Sequence, residues 1–213
     1  MVVLFSSSVV STFNNFSLFA SGVEPVLVED ESALRIAVDA ADGSAIIALT
    51  SDIILTDSAL GIPYGKDITL VSDKPEGFWK LIGVADQNTI DVKGKLTIDG
   101  IIVTHRKGFG CGVCVNGGGT FFMYSGEISD NKGVKGDSCG VYNMGTFVMS
   151  GGTISNNTAD VDGGGVYSRD GMFSMSGGTI SNNSAVEGGG VCLVNSNLRV
   201  FTYGEIMLLF ESE

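Results

Sequence analysis

The sequence predicts an all-β solenoid, a stack of similar coils rather than a globule with one layered core. Three observations predict it. The nonapeptide MSGGTISNN, Met149 to Asn157, recurs letter for letter from Met175 to Asn183. A spacing of 26 residues links Met123, Met149, Met175 and Phe201, and likewise Ile128, Ile154, Ile180 and Ile206. The apolar runs between glycines are too short for a useful helix. Self-similarity at such a period marks units that cannot bury an apolar face alone and do so by stacking.

Each unit reads as three short strands: Gly165 to Tyr167, Gly171 to Met175, and Gly178 to Ser181. Side chains alternate along a strand, so Phe173 and Met175 share one face, and Ile180 joins them inside. Glycines fall at the corners, where the backbone needs angles that a side chain opposes. Coils about 4.8 Å apart would align Phe121, Phe147 and Phe173 in one internal column. A second would hold Met123, Met149, Met175 and Phe201. Asn131, Asn157 and Asn183 fall in register at a corner, with Arg106 one coil earlier. They are expected to be inward amides bonded along the stack as a structural ladder.

Ile154 to Asn157 with Gly163 to Tyr167, and Ile180 to Asn183 with Gly188 to Val191, carry a likeness to a known class. The chain resembles the right-handed parallel β-helix repeat proteins of bacterial surfaces. It is similar to the repeats of polymorphic outer-membrane proteins and autotransporter passengers, over roughly residues 30 to 206. The resemblance implies a right-handed, single-stranded parallel β-helix with a short N-terminal capping helix, secreted or displayed on a bacterial cell surface. It implies a non-enzymatic, adhesin-like stalk or passenger presenting an extended face to a host or matrix component, protein or glycan. The alternative is a carbohydrate-active enzyme of the polysaccharide lyase or glycoside hydrolase kind, since such coils also hold those activities.

With 213 residues, 44% of them hydrophobic, the chain can build one elongated domain with a continuous core, and the repeats argue against dividing it. Its net charge of −12 opposes attraction to nucleic acid or an anionic membrane.

In chain order, Met1 to Gly22 is apolar and Ser-rich, without Lys or Arg. It reads as a truncated secretory signal cleaved after Ala20 or Gly22, or else as a disordered leader or a first strand. No other segment has the length of a membrane span. Residues 23–43 are expected to supply a strand and the capping helix, Asp30 to Ala41. Asp30 would cap it, Leu34, Ala37, Val38 and Ala41 would share its buried face, and Asp42-Gly43 would end it. The helix would cover the open first coil, whose edge would otherwise pair with other chains.

From residue 44 to 213 the β-helix is expected to run without interruption. Strands are predicted in Ala45 to Leu49, Asp52 to Leu55, Asp67 to Val71, Trp79 to Ile82, Thr89 to Val92 and Lys95 to Val103, with turns at Gly61 to Pro63, Ser72 to Pro75 and Gly94. Leu96 and Ile98 align with Phe121 and Met123. Trp79 is expected to pack against the core. The end of the chain is expected to be an open coil able to associate end to end, the sequence being the N-terminal part of a longer surface protein or a gene cut short.

Cys111 precedes Gly112-Val113 and Cys139 precedes Gly140-Val141, so the two occupy equivalent corners of adjacent coils about 5 Å apart, within disulfide range. A Cys111–Cys139 bridge and inert thiols both fit this register. Cys111 and Cys114 resemble half a zinc site, but no second pair or His lies near them in this register. Cys114 and Cys192 share the position held by Tyr142 and Tyr167, and three coils, roughly 14 Å, separate them.

Asp137, Asp162 and Glu187 each lie three residues before a Gly-Val pair, with Asp160 beside them. A column of like charges on one corner can recruit Ca²⁺, an oxygen-ligated ion and the one cofactor this sequence suggests. In lyases of this fold calcium holds the substrate. The alternative is solvated turn acids whose side chains splay apart. His105, the only histidine, sits in His-Arg-Lys and reads as a surface turn; no paired carboxylates of a glycosidase accompany it. Gly108 to Val113 lacks the third glycine of a dinucleotide fingerprint, and Gly163 to Val166 does not continue as a calcium-binding nonapeptide. Asn156 and Asn182 match the glycosylation sequon.

Overall fold

A computed structural model describes residues 24–74, 76–105, 108–133 and 140–200. The expected leader, the Phe201 to Glu213 end, Arg106, Lys107, Asp137 and Cys139 lie outside the described residues.

The chain forms a parallel β-solenoid of about seven turns with roughly 25 residues per coil. Each coil visits three sheets in turn. Sheet 1 has eight strands: Val26–Val28, Ser44–Leu49, Asp67–Ser72, Lys95–Asp99, Thr120–Met123, Thr146–Met149, Met172–Met175 and Asn197–Val200. Sheet 2 has six: Ile53–Ile54, Lys80–Gly83, Ile102–His105, Glu127–Ser129, Thr153–Ser155 and Thr179–Ser181. Sheet 3 also has six: Leu60–Ile62, Ile90–Val92, Val113–Val115, Val141–Asn143, Val166–Arg169 and Val191–Val194. Every strand pair in these sheets is parallel.

The register builds the core from columns. Phe121, Phe147 and Phe173 are consecutive partners, buried, and their rings stack at 4.9 Å with interplanar angles of 9° and 13°. Leu96 and Ile98 pair with Phe121 and Met123, so the phenylalanine and methionine columns continue into aliphatic residues. Ile128, Ile154 and Ile180 line sheet 2, and Val113, Val141 and Val166 line sheet 3, all buried. Such a core has no single centre. Each coil buries its apolar stripe against the coils on either side, the nearest-neighbour packing that the repeat demands.

Glycine closes the corner from sheet 1 to sheet 2. Gly100, Gly126, Gly152 and Gly178 all have positive φ, between 81° and 95°. At Gly126 an added Cβ would lie 2.3 Å from the Ile101 carbonyl oxygen of the coil below. Both the left-handed backbone and the close approach exclude a side chain there.

The helix, α1 (Glu31–Ala40), starts at Asp30, whose extended backbone (φ −147°) lets Oδ1 accept from Ala33 N at 2.8 Å. Leu34, Ala37 and Val38 are buried and join the same core as the coils. Polar ties fix its outer side. Arg35 donates to the carbonyls of Ser58 and Ala59, Glu31 accepts from Thr56 N, and Lys66 Nζ donates to the carbonyls of Asp39 and Ala41.

Three details differ from expectation. Gly61 to Pro63 is not simply a turn: Leu60–Ile62 is a strand that pairs with Ile90–Val92, Gly61 outward between two buried apolar residues. Lys95 to Val103 is not one run, because Gly100 (φ +90°) breaks it between two sheets. Met175 pairs with Val200 rather than Phe201, since the last coil steps 25 residues instead of 26.

Candidate functional site

The corner between sheets 2 and 3 differs from the other two. Eleven residues separate Ser129 from Val141, ten separate Ser155 from Val166, and nine separate Ser181 from Val191. In the same coils, the other corners need three residues or two. In these three coils the excursions therefore gather along one ridge, while in an earlier coil the corner from Ser72 to Lys80, between sheets 1 and 2, is also long. That ridge carries nearly all the polar residues singled out from the sequence.

At its base runs the asparagine ladder. Asn131 Nδ2 donates to Asn157 Oδ1 at 2.8 Å, and Asn157 Nδ2 donates to Asn183 Oδ1 at 2.9 Å. Each oxygen also accepts the backbone N–H of the asparagine below: Asn131 N at 3.1 Å and Asn157 N at 3.0 Å. Each side-chain nitrogen also reaches a backbone carbonyl: Ser129 O for Asn131, Ile128 O for Asn157 and Ile154 O for Asn183. Asn131 and Asn157 are buried, so these bonds satisfy groups that water does not reach. The preceding residues, Asp130, Asn156 and Asn182, have φ of 56°, 56° and 55° and face solvent. Both asparagines of each sequon are thus placed: Asn156 and Asn182 outside, Asn157 and Asn183 inside.

His105 is not on a surface turn. It ends the strand Ile102–His105, is half-buried, and stands at the head of the ladder, where Nδ1 lies 2.8 Å from Asn131 Oδ1. Its Nε2 lies 2.7 Å from the Gln87 carbonyl oxygen.

Of the carboxylate column, Asp162 and Glu187 come together. They form a parallel bridge, with Gly163 N donating to Glu187 O at 3.0 Å and Glu187 N to Val161 O at 2.9 Å. Asp162 is half-buried and Glu187 exposed. Two carboxylates supply fewer oxygens than the roughly six to eight that calcium takes, and Asp137 lies outside the described residues. Among the described residues no three His, Cys, Asp or Glu side chains converge to hold a metal.

Cys111 is buried beside Gly112, its N–H donating to Asn88 Oδ1; its expected partner Cys139 is outside the described residues. Cys114, Tyr142, Tyr167 and Cys192 do share one column, and the two tyrosine rings stack at 5.6 Å. Burial, with the Asp91 charge in the adjacent strand adding to it, pushes the Cys114 thiol up to about 12. Trp79 packs on the core edge, with Nε1 donating to Asp73 and Lys74 lying over its ring at 4.4 Å.

A second polar rung escaped the sequence reading. Asn143, fully buried, donates to Ser168 Oγ at 2.9 Å and to Met172 O at 3.0 Å, and accepts from Gly145 N. It continues a column that is Ile62, Val92 and Val115 in earlier coils. The signal was the Asn-x-Gly that follows Val141-Tyr142, where an apolar residue was due.

No protein-family model, curated protein or solved structure matches the chain. Fold and site together define its class: a parallel β-solenoid protein whose last three described coils carry a ridge of long loops above a buried amide ladder. No helix among the described residues is long and apolar enough to cross a membrane.

Proposed function

We propose that the chain is a non-enzymatic, secreted or cell-surface β-helix of the kind found in polymorphic outer-membrane proteins and autotransporter passengers. It would act as an adhesin-like stalk whose ridge meets a host or matrix component, protein or glycan. One observation carries this reading: in the last three described coils loop length is concentrated on one corner while the other corners stay minimal. A rigid rod with one elaborated edge presents its loops in a row, and binding residues gather on such loops. The ridge bears exposed apolar groups among acids. Val161 and Val186, on adjacent coils, are 41% and 75% exposed, flanked by Asp160, Asp162 and Glu187.

The test couples the full chain to beads and scores retention on immobilised matrix proteins and on glycan arrays. A variant carrying Val161→Asp and Val186→Asp runs beside it. Retention on one of these surfaces, reduced several-fold in a variant of unchanged circular dichroism, is the expected result. Retention on neither would overturn the binding role. Calorimetric titration with Ca²⁺ and an assay on pectin-like polymers complete the set. Calcium binding lost in Asp162→Ala, together with unsaturated product, would make the chain a lyase instead.

A further inference from the structure

Two adjacent coils leave the same three-residue motif on the surface in the same pose. Asn156-Asn157-Thr158 and Asn182-Asn183-Ser184 both read Asn-x-Ser/Thr, the acceptor pattern of N-linked glycosylation. Ser155 pairs with Ser181 and Thr158 bridges Ser184, so the two motifs lie side by side on coils about 4.8 Å apart. Asn156 and Asn182 have φ of 56° and 55°, and both are exposed, as are Thr158 and Ser184. The middle asparagine of each motif belongs to the ladder and is turned inward. Among the described residues the two outer carboxamides and the two hydroxyls have no hydrogen-bond partner.

The coil below shows that the turn itself requires neither end of the motif. Asp130-Asn131-Lys132 holds the same places: Ser129 pairs with Ser155, Lys132 bridges Thr158, and Asp130 has φ of 56°. The left-handed position accepts an aspartate and the third position a lysine, while the inward middle asparagine is common to all three coils. In the two later coils an outer asparagine coincides with a hydroxyl two residues on. We infer that Asn156 and Asn182 are acceptors for N-linked glycans, an inference that rests on the secreted reading above. Transfer joins Nδ2 to the anomeric carbon of the first sugar. Nδ2 gives up a proton, and the bond from that carbon to the diphosphate of a lipid-linked oligosaccharide breaks. The backbone N–H groups of Asn157, Thr158 and Ser184 are bonded to neighbouring coils in the fold, so the segment meets a transferase before its coils close. The finished coil then has only to leave room for the sugar. Exposure at both positions provides it, where sheet 2 ends and the ridge loops begin.

The test translates the full chain in the presence of microsomes that carry such a donor, with its own leader and, in parallel, behind a fused cleavable signal peptide. Resistance to added protease reports translocation, and a mass increase removed by a glycan-releasing amidase reports modification. The amidase leaves aspartate where a glycan stood, so peptide mass spectrometry locates the site. It separates Asn156 and Asn182 from Asn15, a third match to the motif in the leader. Thr158→Ala with Ser184→Ala keeps every asparagine of the ladder and should abolish modification at both positions. A chain that is protected but unmodified at Asn156 and Asn182 overturns the inference and leaves secretion standing. Modification that survives the two alanine substitutions overturns it too. Failure of the chain's own leader alone counts against the secreted reading, and the fused chain then decides the acceptors.

Discussion

Replacing Asn157 by Ala should cost about 3–5 kcal/mol of folding stability, and the magnitude can be assembled from its bonds. The side chain is 0% exposed and makes four hydrogen bonds. Truncation takes from the buried Asn131 N–H the oxygen to which it donates, a desolvation loss of about 1–3 kcal/mol. The other three bonds end on groups with another partner in part, as Asn131 Nδ2 keeps Ser129 O and Asn183 Oδ1 keeps Asn157 N. Each of these contributes about 1 kcal/mol or less. The neighbouring residue is the control. Asn156 is exposed with φ +56°, so Asn156→Ala loses only backbone compatibility, about 1–2 kcal/mol, and Asn156→Gly should recover it. Asn157→Asp should not rescue, because a carboxylate cannot donate to the Ile128 carbonyl. The assay is equilibrium urea unfolding of the full chain followed by circular dichroism. An Asn157→Ala protein no less stable than Asn156→Ala would refute the view that the inner asparagines hold the coils together.

Two further outcomes follow from burial. Phe147→Ala should cost about 3–5 kcal/mol, because its ring lies between Phe121 and Phe173 at 4.9 Å from each; Phe147→Leu should lose much less, and denaturant midpoints compare them. Cys114 should react far more slowly with a thiolate-seeking reagent at about pH 8 in the native chain than in urea, since burial and then Asp91 hold its folded value at about 12. With the folded value raised above the roughly 8.5 of a free thiol, its contribution to stability is complete below that pH and is lost as pH climbs toward 12. Cys114→Ser should remove this alkaline component of the unfolding curve.

The columns were legible because the repeat is nearly perfect where they are strongest. Once Met149 to Asn157 is seen to recur, strand order, facing and stacking all follow from one period, and a misplaced residue would break every coil at once. Leu60–Ile62 was hidden because the local signal and the global one disagree there. Gly61 and Pro63 are turn residues in any window, and only pairing with Ile90 and Val92 in the next coil makes the segment a strand. His105 was hidden for a related reason: Arg106 and Lys107 make its neighbourhood look solvated, while its own position is set by an asparagine 26 residues later. The ridge was legible only as a set of equivalent positions. Register brings Asp162 to Glu187, but the loop path of each coil is not repeated, so no period dictates where the carboxylates point.

The Asn-Asn pairs show why a local and a distant requirement can be written in two adjacent letters. At the first position the chain must leave sheet 2 through the left-handed region, which asparagine and aspartate enter more cheaply than other side chains do; Asp130, Asn156 and Asn182 do so. That single left-handed residue turns the next side chain inward. At the second position the requirement is chemical. The group must donate to a carbonyl of the coil below and to the next rung, and accept from the rung beneath. Only a carboxamide does both without charge: Asn157 makes all of these bonds, Asn131 donates to Val103 O and Asn157, and Asn183 donates to Ile154 O and accepts from Asn157. Aspartate is therefore tolerated at the first position, as Asp130 shows, and excluded from the second. At the head of the ladder no rung lies beneath, and the need for a carboxamide lapses. That place is filled by His105, whose Nδ1 lies 2.8 Å from Asn131 Oδ1.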